Sequence, residues 1–262
     1  MLCLPGSRRY RTSSFWWLIA GWVALWVVYG EDLRRMTLYF SKPQGNLRIT
    51  SLNCAGGDPY AIAEAFQGTP DIVLLQETAS KKEVDLAAKK AYGANVHTHI
   101  GPDAAIITPG TLQPLQLPKT ASNFVAAIVT LPNREPVLVI SLRLQPPIFR
   151  LDYWNPDCWR EFADKRSSRR EEFKEIAEWI ERNAGSMSVI VGGDYNTPPD
   201  GRMFGMFGEG FRDATFDSGY TAVNEFPLAR IDQVWVRGLT PRGSRAVKTA
   251  NSDHRKVLLW LD

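Results

Sequence analysis

The chain has 262 residues, of which 44% are hydrophobic and 23% are charged. This composition excludes a disordered, collagen-like or coiled-coil protein, and the length fits one large domain with a short additional segment. The formal net charge is +3, but residues 1–45 carry six basic and two acidic side chains, which leaves the rest of the chain at −1. Residues 46–262, the body of the chain, therefore lack the basic excess that drives sequence-independent binding to long DNA, although their net charge does not exclude a local basic groove.

The first predicted element is a transmembrane signal anchor over residues 12–30. These 19 residues carry no charged side chain, and as a helix they would span roughly 28 Å, close to the thickness of the hydrocarbon core of a bilayer. Trp16 and Trp17 lie near one end, and Trp26 and Tyr29 lie near the other, where aromatic rings favour the lipid–water boundary. Residues 1–11 form a basic tail before the anchor, and residues 31–45 form a tether after it.

Two other interpretations of this segment are weaker. A cleaved signal peptide would need small residues at a cleavage site, which Val27–Glu31 does not supply. A buried core helix would not be apolar on every side and bounded by charges at both ends. Three arginines before the span favour a cytoplasmic N-terminus, against two arginines after it. We therefore expect a single-pass membrane protein whose C-terminal domain, residues 46–262, is periplasmic or extracellular.

From residue 46 onward, short β-branched runs alternate with amphipathic stretches. The predicted strands are Leu47–Leu52, Asp71–Leu75, Ala104–Thr108, Phe124–Leu131, Val137–Leu142, Ser188–Val191, Ile231–Val236 and Lys256–Leu261. The predicted helices are Tyr60–Gln67, Lys81–Ala91 and Trp159–Asn183. Many short strands with few helices predict an α/β fold in which two packed β-sheets are flanked by helices.

Polar residues gather where these strands begin or end. The five sets are Asn53, Gln76-Glu77, Gly193-Asp194-Tyr195-Asn196, Arg230-Ile231-Asp232 and Ser252-Asp253-His254. Each set alone also fits a solvated charge, a turn cap or a loop. Strands that lie side by side bring their ends to one rim, where open sheets bind ligands. The ordered set of five therefore indicates a functional site.

This ordered set resembles the endonuclease/exonuclease/phosphatase superfamily, which has the deoxyribonuclease-I-like fold. The resemblance covers about residues 46–262 and includes all five blocks in the family's order. It implies a four-layer α/β sandwich and the cleavage of phosphoester bonds with the help of a divalent metal ion.

The resemblance also implies a role for each residue. Glu77 resembles the family's metal-binding glutamate, with Asn53 at the metal or the phosphate and Asp253 completing the metal site. Asp194 resembles the residue that activates or orients the attacking water, and Asn196 the amide that fixes water and phosphate. His254 resembles the catalytic histidine, and Asp232 resembles its carboxylate partner.

Elementary electrostatics agrees with these roles. A phosphodiester is an anion, so its cleavage needs charge neutralisation, a positioned water and help for the leaving oxygen. The four carboxylates of Glu77, Asp194, Asp232 and Asp253 would repel one another unless a cation lay among them. Mg²⁺ prefers such oxygen ligands, and Mn²⁺ and Ca²⁺ are the alternatives. A histidine paired with a carboxylate would be held protonated and would stabilise charge on phosphate oxygens.

The sequence departs from the family pattern at Arg143. Many members carry a histidine in a Ser-Leu-His-Leu pattern that is thought to aid the leaving group, whereas this chain reads Ser141-Leu142-Arg143-Leu144. An arginine has a pKa above about 12 and cannot donate a proton usefully near neutral pH, but it can bind a phosphate. We expect Arg143 to act as a phosphate-binding residue.

The predicted function is that of a membrane-tethered, divalent-metal-dependent phosphoesterase. Its substrate could be a nucleic acid, a phospholipid head group or a small phosphate ester, because loops around the rim set the substrate in this fold. The sequence indicates no protein partner. The alternative is a non-catalytic phosphate- or nucleic-acid-binding module that has kept the fold.

Overall fold

The computed structural model describes residues 15–23, 44–78, 80–118, 123–146, 152, 154–199 and 202–262. The chain divides into two units, residues 1–42 and residues 43–262. Residues 15–23 are helical, but no helix within the described ranges is both long and apolar enough to cross a membrane. The basic tail 1–11, the rest of the predicted span 12–30 and residues 31–43 of the tether lie outside the described residues. The membrane anchor stays a prediction.

The second unit contains two six-stranded mixed sheets. Sheet 1 consists of β1 (Leu47–Asn53), β2 (Ile72–Gln76), β3 (His97–Ile100), β4 (Ala104–Thr108), β11 (Pro241–Val247) and β12 (Lys256–Leu261), in the order β11-β12-β1-β2-β4-β3. Sheet 2 consists of β5 (Thr111–Pro114), β6 (Phe124–Thr130), β7 (Val137–Arg143), β8 (Ser188–Asp194), β9 (Arg212–Asp213) and β10 (Asp232–Arg237), in the order β5-β6-β7-β8-β10-β9. The pairs β1–β2 and β7–β8 are parallel, and the other pairs are antiparallel.

Three α-helices connect these strands, and local signals in the sequence set their ends. They are α1 (Pro59–Ala65), α2 (Lys81–Tyr92) and α3 (Pro156–Ala184), and a 3₁₀ helix covers Arg202–Phe207. The Asp58 carboxylate accepts hydrogen bonds from the backbone N–H groups of Tyr60 and Ala61, and so caps α1. Asn155 caps α3 in the same way, with Pro156 in the first turn and Gly185 after the last.

Three apolar clusters define the layers of this unit. Ile49, Leu74, Val139 and Ile190 belong to the cluster between the two sheets. A second cluster packs α1 and α2 on the outer face of sheet 1, and a third packs α3 and the 3₁₀ helix on the outer face of sheet 2. Each fully buried aliphatic or aromatic side chain in these clusters contributes about 1.5–3 kcal/mol. The order helix–sheet–sheet–helix confirms the predicted α/β sandwich.

The eight predicted strands and the three predicted helices are all present, with ends that differ by a few residues. Helix α3 begins before the predicted Trp159, because Asn155 and Pro156 form its N-terminal cap. Strand β3 lies within Val96–Ile100, which the sequence also predicts as a surface strand, whereas the further strands β5, β9 and β11 were not predicted. β5 and β9 are short, β11 carries alternating polar residues (PRGSRAV), and all three lie at sheet edges. Their sequences therefore lack the apolar run by which the buried strands were predicted.

Strand register brings the polar strand ends into two rows. Asn53 pairs with Gln76 across β1 and β2, while Asp194 pairs with both Arg143 on β7 and Asp232 on β10. Strand β12 lies between β1 and β11, and the Ser252 hydroxyl just before it donates a 2.7 Å hydrogen bond to the Asn53 carbonyl oxygen.

Gly193 allows β7 and β8 to approach closely beside this row. Its φ is +146°, and a Cβ placed there would lie 1.9 Å from the Leu142 carbonyl oxygen. Gly193→Ala should therefore lower the free energy of unfolding by more than about 3 kcal/mol, because backbone strain and a steric clash add together.

Urea unfolding followed by circular dichroism measures this loss. Gly205→Ala is the matched control, because no described atom lies within 4 Å of its added methyl group. Equal midpoints for the two variants would contradict the prediction.

Candidate active site

The buried side-chain amide of Asn53 connects carboxylates that belong to the two sheets. Its Nδ2 donates to Glu77 Oε1 at 2.9 Å and to Asp194 Oδ2 at 3.1 Å. Its Oδ1 accepts a hydrogen bond from the Ala55 N–H at 3.0 Å. In this orientation Asn53 neutralises and positions two acids with its donor side, and its oxygen is turned to the backbone.

Glu77 follows β2 in the left-handed region, with φ of +53°. A non-glycine residue held there costs about 1–3 kcal/mol, and such strain is typical of functional sites. Glu77 N–H donates to the Asp103 carbonyl oxygen at 2.9 Å, and Glu77 Oε2 accepts from the Gly56 N–H at 2.8 Å. The Arg143 guanidinium contacts Glu77 Oε1 through Nη2 at 2.9 Å. The Glu77 carboxylate is therefore fixed at the rim from three directions.

Asp194, at the end of β8, is buried, and its carboxylate accepts two further hydrogen bonds, both from Asn196. Asn196 donates its backbone N–H to Oδ1 at 2.9 Å and its Nδ2 to Oδ2 at 3.1 Å, and it also donates Nδ2 to the Leu144 carbonyl oxygen at 2.8 Å. Asn196 has a φ of +49°. Burial, with the nearby negative charge of Asp232, raises the pKa of Asp194 to about 7. Without a cation, Asp194 thus exchanges a proton near neutral pH.

Asp232 and His254 form a buried ion pair. His254 Nδ1 lies 2.8 Å from Asp232 Oδ2, and backbone hydrogen bonds to the hydroxyls of Thr221 and Ser252 hold the two residues in place. Burial lowers the pKa of His254, but the charge and hydrogen bond of Asp232 outweigh it and raise this pKa to about 10. His254 is therefore an imidazolium at neutral pH and donates Nδ1–H to Asp232.

The donors at this rim fit a divalent cation. Asp194 and Asp232 each offer a carboxylate oxygen within 4.8 Å of the other, and a ring nitrogen of His254, which would have to lose its proton to bind a metal, lies within the same distance. Asp232 Oδ1 is buried and has no hydrogen-bond partner among the described residues, and a buried carboxylate oxygen requires a donor or a cation. Carboxylate oxygens are the ligands that hard cations prefer. The metal ligands predicted from the sequence are a different set, Glu77, Asn53 and Asp253. Their binding of a metal stays a prediction.

The structure brings most of the predicted site together. Direct contacts or pairing between neighbouring strands link the following predicted residues: Asn53, Glu77, Arg143, Asp194, Asn196, Asp232 and His254. The predicted ligand Asp253 is exposed, and its negative charge contributes to the raised pKa of His254.

Asp103 was missed by sequence reasoning. Its Oδ2 accepts from Arg143 Nη1 at 3.0 Å, and it precedes β4, whose first residue Ala104 pairs with Gln76. An acidic residue directly before a buried strand was the only available signal, and it becomes informative only once β4 is known to run antiparallel to β2.

A model of the Endonuclease/Exonuclease/phosphatase family matches residues 50–254, and the chain belongs to this family. Members of the family hydrolyse phosphoester bonds and typically require divalent metal ions. No curated protein matches the chain.

Solved structures share the fold at low sequence identity. An endonuclease/exonuclease/phosphatase family protein from Bacteroides thetaiotaomicron has a TM-score of 0.61 at 15% identity, with 84% of this chain and 98% of that chain covered. D. rerio TDP2 complexed with single strand DNA product has a TM-score of 0.59 at 17% identity, covering 82% and 98%. The mannosyl-6-phosphatase of Bacteroides thetaiotaomicron has a TM-score of 0.59 at 15% identity, covering 83% and 100%.

The buried acid Asp194 should make the metal-free protein less stable as the pH rises. Its pKa is about 7 in the folded chain against an ordinary value of 3.8, so the stability it contributes is complete below pH 3.8 and is lost as the pH rises through about 7. His254, raised from 6.5 to about 10, changes stability in the same direction, but mainly above about pH 6.5.

Thermal unfolding in EDTA between about pH 4 and pH 7 tests this expectation. Asp194→Asn should flatten the pH dependence, because asparagine has no charge to bury. An Asp194→Asn protein with the wild-type slope would contradict it.

Proposed function

We propose that the chain is a membrane-tethered, Mg²⁺-dependent phosphoesterase that hydrolyses phosphodiester or phosphomonoester bonds. One observation carries the proposal: the ends of β1, β2, β7, β8 and β10 and the residues before β12 place acids, amides and an imidazolium at one rim. Their donor chemistry fits a hard divalent cation. Membership of a family of phosphoester hydrolases supports the same conclusion.

Glu77 is the proposed principal ligand of Mg²⁺, with Asp253 and the Asn53 amide oxygen completing the set. Ligation by Asn53 requires its amide to turn, because its Nδ2 faces Glu77 and Asp194 in this structure. When bound, Mg²⁺ supplies charge neutralisation and polarises a phosphoryl oxygen. The chain's own residues supply the remaining functions.

Asp194 is the proposed residue that orients and deprotonates the attacking water. Its pKa of about 7 suits a general base near neutral pH, and two donors from Asn196 fix the direction of its carboxylate. The His254 imidazolium, held by Asp232, stabilises the negative charge that develops on the phosphate oxygens. These roles assign proton removal to Asp194 and charge stabilisation to His254.

Arg143 is the proposed phosphate-binding residue on the side of β7. Its planar guanidinium matches two phosphate oxygens, but it cannot protonate a leaving oxygen near neutral pH. Substrates whose leaving groups depart readily as anions, or receive a proton from water, are therefore favoured over those that need a strong acid.

The substrate class remains open between a nucleic acid, a phospholipid head group and a small phosphate ester. TDP2 complexed with single strand DNA product supports the first, and the mannosyl-6-phosphatase supports the last. The near-neutral charge of the body gives long duplex DNA no electrostatic advantage. An apolar N-terminal segment, if it anchors the chain, would favour a substrate at the membrane surface.

A non-catalytic phosphate-binding module is the second candidate. The ion pair between Arg143 and Glu77 favours it, because the proposed metal-binding carboxylate already has a cationic partner. Hydrolysis that requires a divalent cation would exclude this alternative.

Hydrolysis of bis(4-nitrophenyl) phosphate with Mg²⁺ or with EDTA tests the catalytic proposal. His254→Gln should lower kcat roughly 10²–10⁴-fold, because the amide keeps a hydrogen bond to Asp232 but carries no positive charge. His97→Gln is the matched control, since His97 is exposed on β3, and it should retain wild-type turnover. Equal turnover in the two variants would disprove the assigned role of His254.

The tether is tested by membrane fractionation of cells that express the full-length chain. The protein should remain with the membranes in carbonate, and protease outside intact cells or spheroplasts should reach residues beyond Lys42. Leu18→Arg with Trp22→Arg should release it, because the two charges would enter the bilayer.

Phe226→Arg is the control for this test, since it adds a charge at an exposed apolar residue of the body and should release nothing. Removal of the wild-type protein by carbonate would exclude the anchor, and a protected body would reverse the proposed orientation.

A further inference from the structure

Three of the roughly four acceptor positions of the Glu77 carboxylate already have a partner from the chain. Oε1 accepts from Asn53 Nδ2 and from Arg143 Nη2, both at 2.9 Å, and Oε2 accepts from the Gly56 N–H at 2.8 Å. Both oxygens of Glu77 are thus engaged and one of them faces a resident cation, whereas Asp232 pairs with His254 through Oδ2 and its Oδ1 has no partner among the described residues.

Asp103 holds that cation in place. Its Oδ2 lies 3.0 Å from Arg143 Nη1, on the other branch of the guanidinium from the one that contacts Glu77. Its carbonyl oxygen accepts the Glu77 N–H at 2.9 Å. One residue therefore fixes both partners of the Arg143–Glu77 ion pair, through its side chain and through its backbone.

The guanidinium is also confined by its surroundings. The Arg143, Glu77 and Asp103 side chains are 25%, 24% and 32% exposed, so water screens this chain of charges only in part. Arg143 Nε is buried and has no partner within the described part of the chain, which leaves the two carboxylates as its anchors. Burial alone would lower the pKa of Arg143, but Asp103 and Glu77 more than offset it and raise this pKa. Arg143 is a permanent cation.

We infer that Arg143 is the built-in counter-ion of Glu77, that Glu77 binds a divalent cation only when Arg143 releases it, and that Asp103 is the positioning residue for this exchange. The inference rests on the proposed function in one respect, the assignment of Glu77 as the principal metal ligand. Once released from Glu77, Nη2 of Arg143 is free to bind a substrate phosphate while Nη1 stays on Asp103. Metal binding and phosphate binding then favour each other, as linked equilibria must.

The charge arrangement fixes the sign of the effect. Removal of the guanidinium deletes a positive charge that lies 2.9 Å from a proposed ligand atom, so Mg²⁺ should bind more tightly. Neutralisation of Asp103 leaves the guanidinium with Glu77 as its only carboxylate partner in this arrangement, so Mg²⁺ should bind more weakly than in the wild type. Part of that second effect is the loss of the Asp103 charge itself, which the Arg143→Met background isolates.

Calorimetric titration of the full-length protein in detergent with Mg²⁺ alone tests the inference without any substrate. Arg143→Met, which keeps an unbranched apolar stem and removes the charge, should tighten Mg²⁺ binding at least tenfold. Asp103→Asn should weaken it severalfold in the wild-type background and by less in the Arg143→Met background. Inorganic phosphate should bind the wild type more tightly with Mg²⁺ than without it, and Arg143→Met should reduce that difference severalfold.

Unfolding temperatures of each variant verify that it is folded, and Arg143→Gln replaces Arg143→Met if the latter does not fold. Unchanged or weaker Mg²⁺ affinity in the folded neutral variant would overturn the inference, as would the absence of Mg²⁺ binding in both proteins. If the neutral variant binds Mg²⁺ more tightly but the wild type hydrolyses no phosphoester, the proposed function fails and the inference stands. If hydrolysis requires Mg²⁺ but the affinities are equal, only the inference fails.

Discussion

The crowding of negative charge where the two sheets meet is the constraint on which the rest of this structure depends. Glu77 belongs to sheet 1 and Asp194 and Asp232 belong to sheet 2, yet a single amide, Asn53, is within hydrogen-bond distance of acids from both. Acids this close and this buried must be compensated inside the protein. The positive charges of Arg143 and His254 offset these acids, and the side-chain amides of Asn53 and Asn196 donate hydrogen bonds to them. Glu77 and Asn196 adopt a positive φ in this arrangement.

The compensation divides the rim into two halves with different electrostatic character. On one half, an arginine with a permanent charge pairs with Glu77 and Asp103. On the other half, an imidazolium pairs with Asp232, beside an acid that exchanges its proton near neutral pH. The first half is suited to binding an anion or exchanging cations, and the second is suited to moving a proton and stabilising developing charge. Asn53 lies between them and contacts both.

The predictable parts of the molecule are those with strong local signals. Runs such as Ile72–Leu75 and Val137–Leu142 are apolar, rich in β-branched residues and buried, so their composition alone predicts strands. A polar residue at the end of such a run therefore indicates a functional role. Asp103 and the ion pair of Arg143 with Glu77 depend instead on strand pairing between distant segments. The edge strands β5, β9 and β11 are stabilised by backbone pairing with one neighbour, which leaves little trace in their side chains.

The position of β12 has a consequence for how the molecule assembles. This strand is the last of the domain along the chain, yet it occupies an interior place in sheet 1 between β1 and β11, and Ser252 just before it contacts Asn53 across 199 residues of sequence. Contacts of such sequence separation raise the contact order of a fold and slow its folding. His254 lies just before the segment that forms β12, so its contact with Asp232 depends on the insertion of this last strand. The completeness of the rim is therefore tied to the completeness of the whole domain.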